Sequence, residues 1–268
     1  SVVLSDSFSI VGCFARKSVQ NTGEDVIFLS DSGVRSLMRT IQEKSAPLRT
    51  VSKNIQTDLS DYIAQETVDN IRSAYSPAEA FYLLTMPASS TTLCFDTKQP
   101  LQDGAARVTV WNGMQPKSFL YAKSRDLYMG MAGYVGAYSG YVDDATSYRM
   151  SYYTTWVDFG DAARESILKR IIFTLVGATN QTFVIKWGTD FTPSIGYALS
   201  TLSGIGSPAV YGEAEFGIAE FNANLATNVV SVNPGGRGKV IQIGFEAQIV
   251  GYQISIQKID IYTKEGRL

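Results

Sequence analysis

The fold class is decided by residues 239–249, which read KVIQIGFEAQI. Apolar residues alternate here with polar or small ones: the apolar set is Ile241, Ile243, Phe245, Ala247 and Ile249, and the other set is Gln242, Gly244, Glu246 and Gln248. A two-residue period is that of a half-buried strand and not that of a helix. The residues that face water are mostly amides and small groups, which suit subunit packing better than chemistry.

The alternation continues towards the end of the chain. After Gly251 it resumes with Tyr252, and between Ile256 and Ile259 it slips by one position. A slip of this kind is what a β-bulge produces, so a bulge is predicted at Gln257-Lys258. The chain is therefore expected to finish in an antiparallel β layer.

The composition excludes several classes of protein. The 268 residues are 45% hydrophobic and 18% charged, which is typical of a globular chain with one large β core or two smaller ones. The net charge of −2 gives no basic excess for holding phosphates, so DNA near this protein is expected to pass and not to be bound. Histidine is absent, which removes the commonest general base and zinc ligand.

Three further features concern thiols, membranes and processing. Cys13 and Cys94 have no metal-ligand spacing and are expected to be buried free thiols. No apolar run approaches the roughly 18 residues of a membrane span, and no charged-then-apolar leader opens the chain. Because the first residue is Ser1, the chain is expected either to be processed or to lack an upstream part.

The rest of the chain is predicted to be mostly short strands. One helix is predicted at about 58–72, with Thr57 as its cap, an apolar face of Leu59, Tyr62, Ile63 and Ile71, and a polar connection before it. A helical turn is predicted at 162–169, and a hairpin is predicted from 170–176 and 182–187. Strands are predicted at 8–14, 25–30, 34–40, 79–84, 91–95, 107–111, 118–122, 127–131, 134–141 and 148–159.

Turn signals and a change of composition organise these elements into two domains. Several strands of similar length, with turns such as 30–33, 103–104, 112–113 and 143–144, favour a sandwich, barrel or propeller. A domain boundary is predicted near residue 160. Residues 1–160 are then a β-propeller-like region with a helical insertion at about 42–75, and residues 161–268 are a C-terminal β-sandwich or barrel-like domain. Residues 191–238, rich in Gly, Ser and Ala, are expected to be a long insertion or a set of short edge strands.

Four groups of residues resemble the motifs of known chemical sites. Gly235-Gly236-Arg237-Gly238 is predicted to be a hairpin turn, because a phosphate loop needs a helix after it and a strand follows. Asp143-Asp144 is predicted to be a solvated turn and not a glycosidase pair. Glu213, Glu215 and Glu220 are predicted to form a surface edge or a weak cation site. Asp31-Ser32-Gly33 fails as a sialidase Asp-box, because Leu29 stands at its Ser position and Ser36 at its Trp position.

Tyrosine is dense between residues 121 and 153. Aromatic side chains at sheet edges bind sugars or pack against another subunit, whereas cross-strand packing within one sheet explains them equally well. No catalytic, cofactor-binding or metal site is predicted, and the chain is not expected to be an enzyme. The tyrosines in question are Tyr121, Tyr128, Tyr134, Tyr138, Tyr141, Tyr148, Tyr152 and Tyr153.

Three stretches of the chain each consist mostly of strand and turn residues. In this order and spacing they resemble the tail nozzle (tail tube) proteins of short-tailed bacteriophages. The first is Cys13–Val19 with Asp25–Ser30 and Gly33–Leu37; the second is Leu127–Gly130 with Gly133–Val135, Thr155–Gly160 and Lys169–Ile171; the third is Gly238–Arg267, especially Gln242–Phe245 and Lys264–Arg267, which is similar to a terminal hairpin of that family.

The resemblance implies a structural virion protein. Such proteins carry propeller-like blades and assemble into a ring, here expected to be a homohexamer, around the channel through which double-stranded DNA leaves during ejection. The partners it implies are further copies of the chain, other tail proteins on the adaptor or portal side, fibres or spikes, and DNA in transient passage. The implied location is the tail of the virion, after assembly in the host cytoplasm. Because members of that family are usually much longer, the chain is expected to be the C-terminal portion of a nozzle or a divergent short one.

Two other classes remain open from the residues. A carbohydrate-binding β protein, such as a phage or bacterial surface adhesin, would stack sugar rings on the tyrosine-rich strands. A glycan hydrolase on a propeller scaffold is not excluded by the lack of histidine, but the failed Asp-box disfavours it.

Overall fold

The computed structural model describes residues 12–23, 25–38, 50–122, 126–158, 164–177, 180–202 and 227–265. In these residues the protein is mainly β, and its strands form five antiparallel sheets. The chain folds as two compact units, and the boundary along the chain lies between Ser139 and Gly140. The sequence-based boundary near residue 160 lies inside the second unit, because residues 148–158 pair with a strand from the end of the chain.

The first unit holds three sheets in chain order. An α-helix, α1 (Gln56–Ala64), lies between the first and second sheets, and short 3-10 turns occur at Arg16–Ser18, Lys53–Ile55 and Val68–Asn70. Sheet I contains β1 (Gln20–Asn21), β2 (Val26–Ser30) and β3 (Gly33–Ser36); sheet II contains β4 (Arg72–Ser76), β5 (Phe81–Met86), β6 (Thr91–Asp96) and β7 (Arg107–Asn112); sheet III contains β8 (Ser118–Tyr121), β9 (Leu127–Gly130) and β10 (Val135–Ala137).

Strands β4, β5 and β6 of sheet II are buried on both faces, whereas β7 at its edge is largely exposed. In β5, Tyr82 and Leu84 pack with residues of sheet I and α1, whereas Phe81 and Leu83 pack with Leu127 of sheet III. The Tyr82 hydroxyl donates a hydrogen bond of 2.7 Å to the Ser18 carbonyl, and burial raises the pKa of this phenol. Sheets I, II and III therefore stack in succession, with an apolar layer on each face of sheet II.

The helix is shorter than the sequence predicts, and Thr57 lies within its first turn instead of capping it. Leu59 and Ile71 do enter the core, and Tyr62 and Ile63 pack against it, as expected from the apolar pattern. Ile71 reaches the core from the segment that leads into β4, not from a helix. The Glu66 carboxylate accepts a hydrogen bond of 2.7 Å from the backbone N–H of Ala88, so a tertiary contact holds the chain where the predicted helix would have continued.

The second unit contains two larger sheets. In sheet IV, β18 pairs with β14 on one side and with β11 and β12 on the other. In sheet V, β13 pairs with β19 on one side and with β16 and β17 on the other. The strands are β11 (Tyr148–Tyr153), β12 (Val157–Asp158), β13 (Ser166–Gly177), β14 (Thr182–Thr189), β15 (Thr192–Thr201), which pairs with β14, β16 (Thr227–Val232), β17 (Arg237–Gly238), β18 (Val240–Ile249) and β19 (Ile254–Glu265).

These two sheets pack face to face around one core. Its centre is a group of phenyl rings: the centroid of Phe183 lies 5.3 Å from that of Phe173 in sheet V and 5.3 Å from that of Phe245 in β18. The alternation in β18 is confirmed, because its five apolar residues of one parity are all buried. Each large aromatic side chain of this kind buries about 150–250 Å², so this cluster dominates the stability of the unit.

Two predicted hairpins are wrong. Strands β13 and β14 do not pair with each other but belong to opposite sheets, and the same holds for β18 and β19, so the resemblance to a terminal hairpin at the end of the chain does not extend to the pairing. In both cases the chain crosses from one sheet to the other, which a periodic pattern cannot distinguish from a hairpin. The helical turn predicted at 162–169 is also contradicted from Ser166 onward, where β13 begins.

The bulge predicted near Gln257-Lys258 is confirmed. Thr174 pairs with Lys258 and Leu175 pairs with Ile256, so Gln257 is the extra residue. Residues 191–201 and 227–238 contain the ten-residue strand β15 together with β16 and β17, while residues 203–226, between them, lie outside the described part. The strand predicted at 8–14 falls mostly outside the described residues, and Cys13 and Phe14 are not in a strand.

The turn between β2 and β3 gives a test of close packing. Gly33 has a φ of +121°, and a Cβ there would lie 2.5 Å from the Ser52 Oγ and 2.7 Å from the Gln56 Oε1. The Ser52 hydroxyl already accepts a hydrogen bond of 3.0 Å from the Val34 N–H, so it has little freedom to move. We expect Gly33→Ala to lower the free energy of unfolding by about 2–4 kcal/mol, measured by urea denaturation.

The matched control is Gly113→Ala. Gly113 also has a positive φ, of +81°, but no atom lies within 4 Å of the added Cβ. This variant has only the backbone strain and should lose about 1 kcal/mol. Equal losses in the two variants would contradict the crowding at Gly33.

Candidate functional site

The outer face of sheet IV is an ordered surface of the second unit that carries several polar and charged side chains, and we call it the polar face. It follows from the alternation that places the apolar residues of β11, β14 and β18 in the core. Residues of opposite parity then point outward together, as the registers of the strand pairs require. The polar face comprises Arg149, Ser151 and Tyr153 of β11, Gln242, Gly244, Glu246 and Gln248 of β18, Val184 and Lys186 of β14, and Tyr197, Leu199 and Thr201 of β15.

Glu246 is the centre of this face. Its side chain is only 13% exposed, and its Oε1 atom accepts hydrogen bonds from three neighbours on two flanking strands. Lys186 Nζ lies 2.6 Å from that oxygen, and the Arg149 guanidinium and the Tyr153 hydroxyl donate to the same atom. Two cations thus share one carboxylate, which leaves one positive charge in excess.

The interactions within this cluster move the pKa of Glu246, Lys186 and Tyr153 away from neutral pH. Burial alone would raise the pKa of Glu246, but hydrogen bonds from Lys186, Tyr153 and Arg149 lower it to about 2. The hydrogen bond to Glu246 in turn raises the pKa of Lys186 above its ordinary value. For Tyr153, burial and the bond to Glu246 both raise the pKa. All of these groups therefore keep one protonation state at neutral pH.

The chemistry of the cluster follows from those shifts. A general acid or base works best when its pKa lies near the operating pH, and Glu246 and Lys186 are both far from it. The cluster is suited to holding the surface in shape and to meeting a polar partner, and it is not suited to transferring protons.

Glycine at position 244 makes room for part of the cluster. The ring of Tyr153 lies directly over Gly244, so that a Cβ at this position would overlap the ring. The amides on either side are also engaged: Gln242 Nε2 donates to the Thr154 carbonyl at 3.0 Å, and Gln248 Nε2 donates to the Ser147 hydroxyl at 2.6 Å. The face is therefore an ordered polar surface, and it includes the exposed side chains of Tyr197 and Leu199 on β15.

The turns predicted from sequence are confirmed in part. Gly235 and Gly236 have positive φ and lead into strand β17 and not into a helix, but they do not form the predicted hairpin, because β16 and β17 both pair with β13 and run in the same direction. Asp143 forms a bridge with Thr146, and Asp144 and Ala145 both have positive φ, as in an exposed two-residue turn. Asp31-Ser32-Gly33 forms the turn of the β2–β3 hairpin. Glu213, Glu215 and Glu220 lie outside the described residues.

Both cysteines are free, as predicted, but only one is shielded from water. Cys13 is exposed, contrary to expectation. Cys94 faces the layer between sheets II and III, where burial raises the pKa of its thiol to about 12. A thiol with that pKa is almost entirely protonated at neutral pH and is a poor nucleophile.

The eight tyrosines do not share one sheet. Tyr121, Tyr128, Tyr134 and Tyr138 belong to the first unit, and the other four belong to the second. Several of them pack within the protein: the Tyr138 ring stacks on Trp111 with centroids 5.6 Å apart, and the Tyr141 hydroxyl donates to Gln253 at 3.1 Å. The tyrosine-rich stretch is thus divided between the two units.

Sequence reasoning missed the residues that complete the Glu246 cluster. Arg149 and Lys186 lie far apart in sequence and meet Glu246 only because β11 and β14 both pair with β18. The available signal was weak: Lys186 and Glu246 are the charged residues inside otherwise apolar or neutral strands. Pairing between strands cannot be read from periodicity alone.

Comparison with protein-family models finds no match to this chain, and comparison with curated protein sequences finds none that is significant. In the described part of the chain, no group of three Cys, Asp or Glu side chains is close enough to hold a metal ion. No helix among those same residues is long and apolar enough to cross a membrane.

The Glu246 cluster predicts a specific acid sensitivity. A carboxyl whose folded pKa is lowered stabilises the fold above its unfolded pKa and loses that contribution as the pH falls. For Glu246 the loss should take place between its ordinary value of 4.5 and about 2. We expect Glu246→Gln to be about 1 kcal/mol less stable than the wild type at pH 7, since Arg149 is largely exposed and solvent screens its contribution.

The measurement is urea denaturation of both proteins from pH 7 to pH 2. The difference between them should shrink below pH 4.5 and be mostly lost near pH 2, where the carboxyl of the folded protein is half protonated. A difference that stays constant over this range would show that the carboxylate charge of Glu246 does not act on stability.

Proposed function

We propose that this protein is a structural subunit of the tail nozzle of a short-tailed bacteriophage. In this role several copies form a ring, expected to contain six, which guides or retains double-stranded DNA and joins tail components. The observation that carries the proposal is the succession of sheets I, II and III, each an antiparallel meander packed by its face on the next. Such a succession is what propeller-like blades would produce, as in the family that the sequence resembles.

Exposed apolar side chains support an assembly of subunits. Both units carry them on sheet faces and turns, for example Leu120 and Val135 in the first unit and Phe191 and Leu199 in the second. Scattered apolar residues are normal on a protein surface, but groups of them mark contact sites. Contacts between identical subunits of a ring would cover groups of this kind.

The charge distribution supports passage of DNA rather than binding. The chain has 23 basic and 25 acidic residues. On the polar face, Arg149 and Lys186 are both engaged by Glu246, which reduces the charge available to phosphates. Non-specific DNA affinity comes from phosphate neutralisation, so a surface of this kind lets a duplex slide.

A nozzle role also implies which proteins this chain contacts and where in the virion it lies. A nozzle sits in the tail of the virion, between proteins of the adaptor or portal side and the fibres or spikes, and its work is mechanical. No enzymatic activity is proposed, because the charged cluster of the polar face is held in one protonation state and the Asp143-Asp144 pair forms an exposed turn.

The first test concerns assembly. We expect the purified protein to form a closed ring, seen as a single species of about six chain masses by size-exclusion chromatography with light scattering and as annular particles by electron microscopy. A protein that stays monomeric at all concentrations contradicts the nozzle. If that monomer also binds glycans on an array, the carbohydrate-binding alternative is favoured.

The second test concerns DNA. We expect duplex DNA to bind with a dissociation constant weaker than about 10⁻⁴ M at physiological salt, measured by fluorescence anisotropy, since few phosphates would be neutralised. The affinity should be independent of sequence. Binding tighter than about 10⁻⁶ M would contradict the passive role assigned to the channel surface.

A further inference from the structure

Sheet IV ends in an open strand on each side. Its strands follow the order β11-β18-β14-β15, and each neighbouring pair is antiparallel. Among the residues that the structure describes, no strand pairs with the far side of β11 or of β15. At each open side, alternate residues direct their N–H and C=O groups away from the sheet. Such a row of backbone groups is complementary to one kind of partner, an extended strand.

These two edges lack most of the features that keep strand edges apart. Proteins usually protect an open edge with charged side chains, with proline or with a bulge. The ten residues of β15 carry no charge, and their one proline, Pro193, precedes the regular pairing that starts at Gly196. In β11 the single charged residue, Arg149, is bound by Glu246. By contrast, the edge strand β19 of sheet V carries Lys258, Asp260, Lys264 and Glu265.

The free backbone groups of the two edges belong to residues of the same parity. The Thr154 N–H, just after β11, donates to the Ile243 carbonyl at 2.8 Å, so the even-numbered residues of β11 bond within the sheet. The Leu202 N–H, just after β15, donates to the Gln181 carbonyl at 2.9 Å, which gives the same alternation there. The odd-numbered residues, whose side chains lie on the polar face, therefore hold the free groups. They are Arg149, Ser151 and Tyr153 on β11 and Tyr197, Leu199 and Thr201 on β15.

The directions of the strands allow one copy to extend the sheet of the next. Because each pair along the path β11-β18-β14-β15 is antiparallel, the two edge strands run in opposite directions. When a copy is repeated by rotation about an axis along the strands, its β11 therefore lies antiparallel to β15 of the copy before it. The polar face stays on one side of the joined sheet, and the free groups of both edges point at each other.

The inward sides of the two edges complement each other in size. Tyr152 of β11 lies opposite Phe245, on the side of the core, yet it is 54% exposed. Sheet V therefore leaves this end of the apolar layer uncovered. The inward-facing residues of β15 are small, and they are Gly196, Ala198 and Ser200. A β15 strand placed beside β11 would cover the tyrosine ring without a clash between large side chains.

We propose that β15 of one copy of this chain pairs with β11 of the next copy, so that sheet IV continues from subunit to subunit. The inference rests on the proposed ring and names its contact, which lies wholly within the second unit. The register that uses all the free groups places Ser151 opposite Leu199, with about six hydrogen bonds between the strands. Tyr152 then lies opposite Ala198, and no charged residue faces another. Because the two edges are different patches, the contact is head-to-tail, as a closed ring requires.

Leu199→Pro tests the backbone of the β15 edge. Proline removes an N–H that points away from β14, so the protomer should keep its fold, checked by circular dichroism and thermal unfolding. The association constant should fall at least about tenfold, measured by sedimentation equilibrium, because a hydrogen bond is lost and the proline ring obstructs the partner strand. Leu199→Ala is the matched control, since it keeps the N–H and should lose much less. Equal losses in the two variants would assign the effect to the side chain and contradict strand pairing.

Ser151→Pro makes the same change at the β11 edge, and the two proline variants together test the direction of the contact. Each variant alone has one obstructed edge and should not assemble. In an equal mixture, the intact β11 of the Leu199→Pro protein should pair with the intact β15 of the Ser151→Pro protein, which gives a dimer and nothing larger. A mixture that stays monomeric while the wild type assembles overturns the inference.

Cross-linking keeps the contact testable if a proline variant fails to fold. In a background with Cys13→Ser and Cys94→Ala, the single variants Leu199→Cys and Ser151→Cys are co-expressed and treated with a short bismaleimide reagent. Covalent dimers should form between the two variants and not in either variant alone, because the two positions are opposite each other only between neighbouring copies. Dimers of equal yield in one variant alone contradict the head-to-tail pairing, and so does the lack of any dimer in the co-expressed sample.

These outcomes separate the two proposals. A wild-type ring that is insensitive to Leu199→Pro and Ser151→Pro leaves the nozzle in place and refutes the strand pairing. A wild-type protein that is monomeric under every condition refutes the nozzle and the pairing together.

Discussion

The structure of the second unit depends on the alternation within β18. This strand lies in the middle of its sheet, so the parity of its residues decides which side chains meet the other sheet and which meet water. A shift of one position would place Glu246 in the core and Phe245 outside. The register is held from both sides: Phe245 packs among the rings of Phe173 and Phe183, and Glu246 binds donors on both neighbouring strands. The apolar core and the polar face are therefore consequences of one constraint.

Much of this fold can be predicted from sequence where the signal is local. Strands β6 to β9, the turn at Gly33 and the bulge at Gln257 all follow from patterns a few residues long, whereas β4 was not predicted. The pairing of distant strands does not follow from such patterns. Strands β13 and β14 are adjacent in sequence and look like a hairpin, yet β13 finds its partners in β16, β17 and β19. Connections between the layers of a two-sheet unit are short enough to imitate hairpin loops.

The helix shows a different limit. Its apolar residues were identified correctly, but the three-to-four-residue spacing continued past Ala64 into a segment that forms a 3-10 turn and β4. Ile71 lies in the core in either conformation, so its apolar character could not distinguish them. The Glu246 cluster was hidden for a related reason: its members are spread over residues 149–246 and become neighbours only through the sheet.

The layering of the first unit has a consequence for its two thiols. Cys13 is open to solvent, whereas Cys94 lies under sheet III with its proton held by burial. A maleimide added to the native protein would modify Cys13 at once and Cys94 much more slowly, because the Cys94 side chain is only partly exposed and its thiol stays protonated. The rate of the second modification would then report how readily sheets II and III move apart relative to the rest of the molecule.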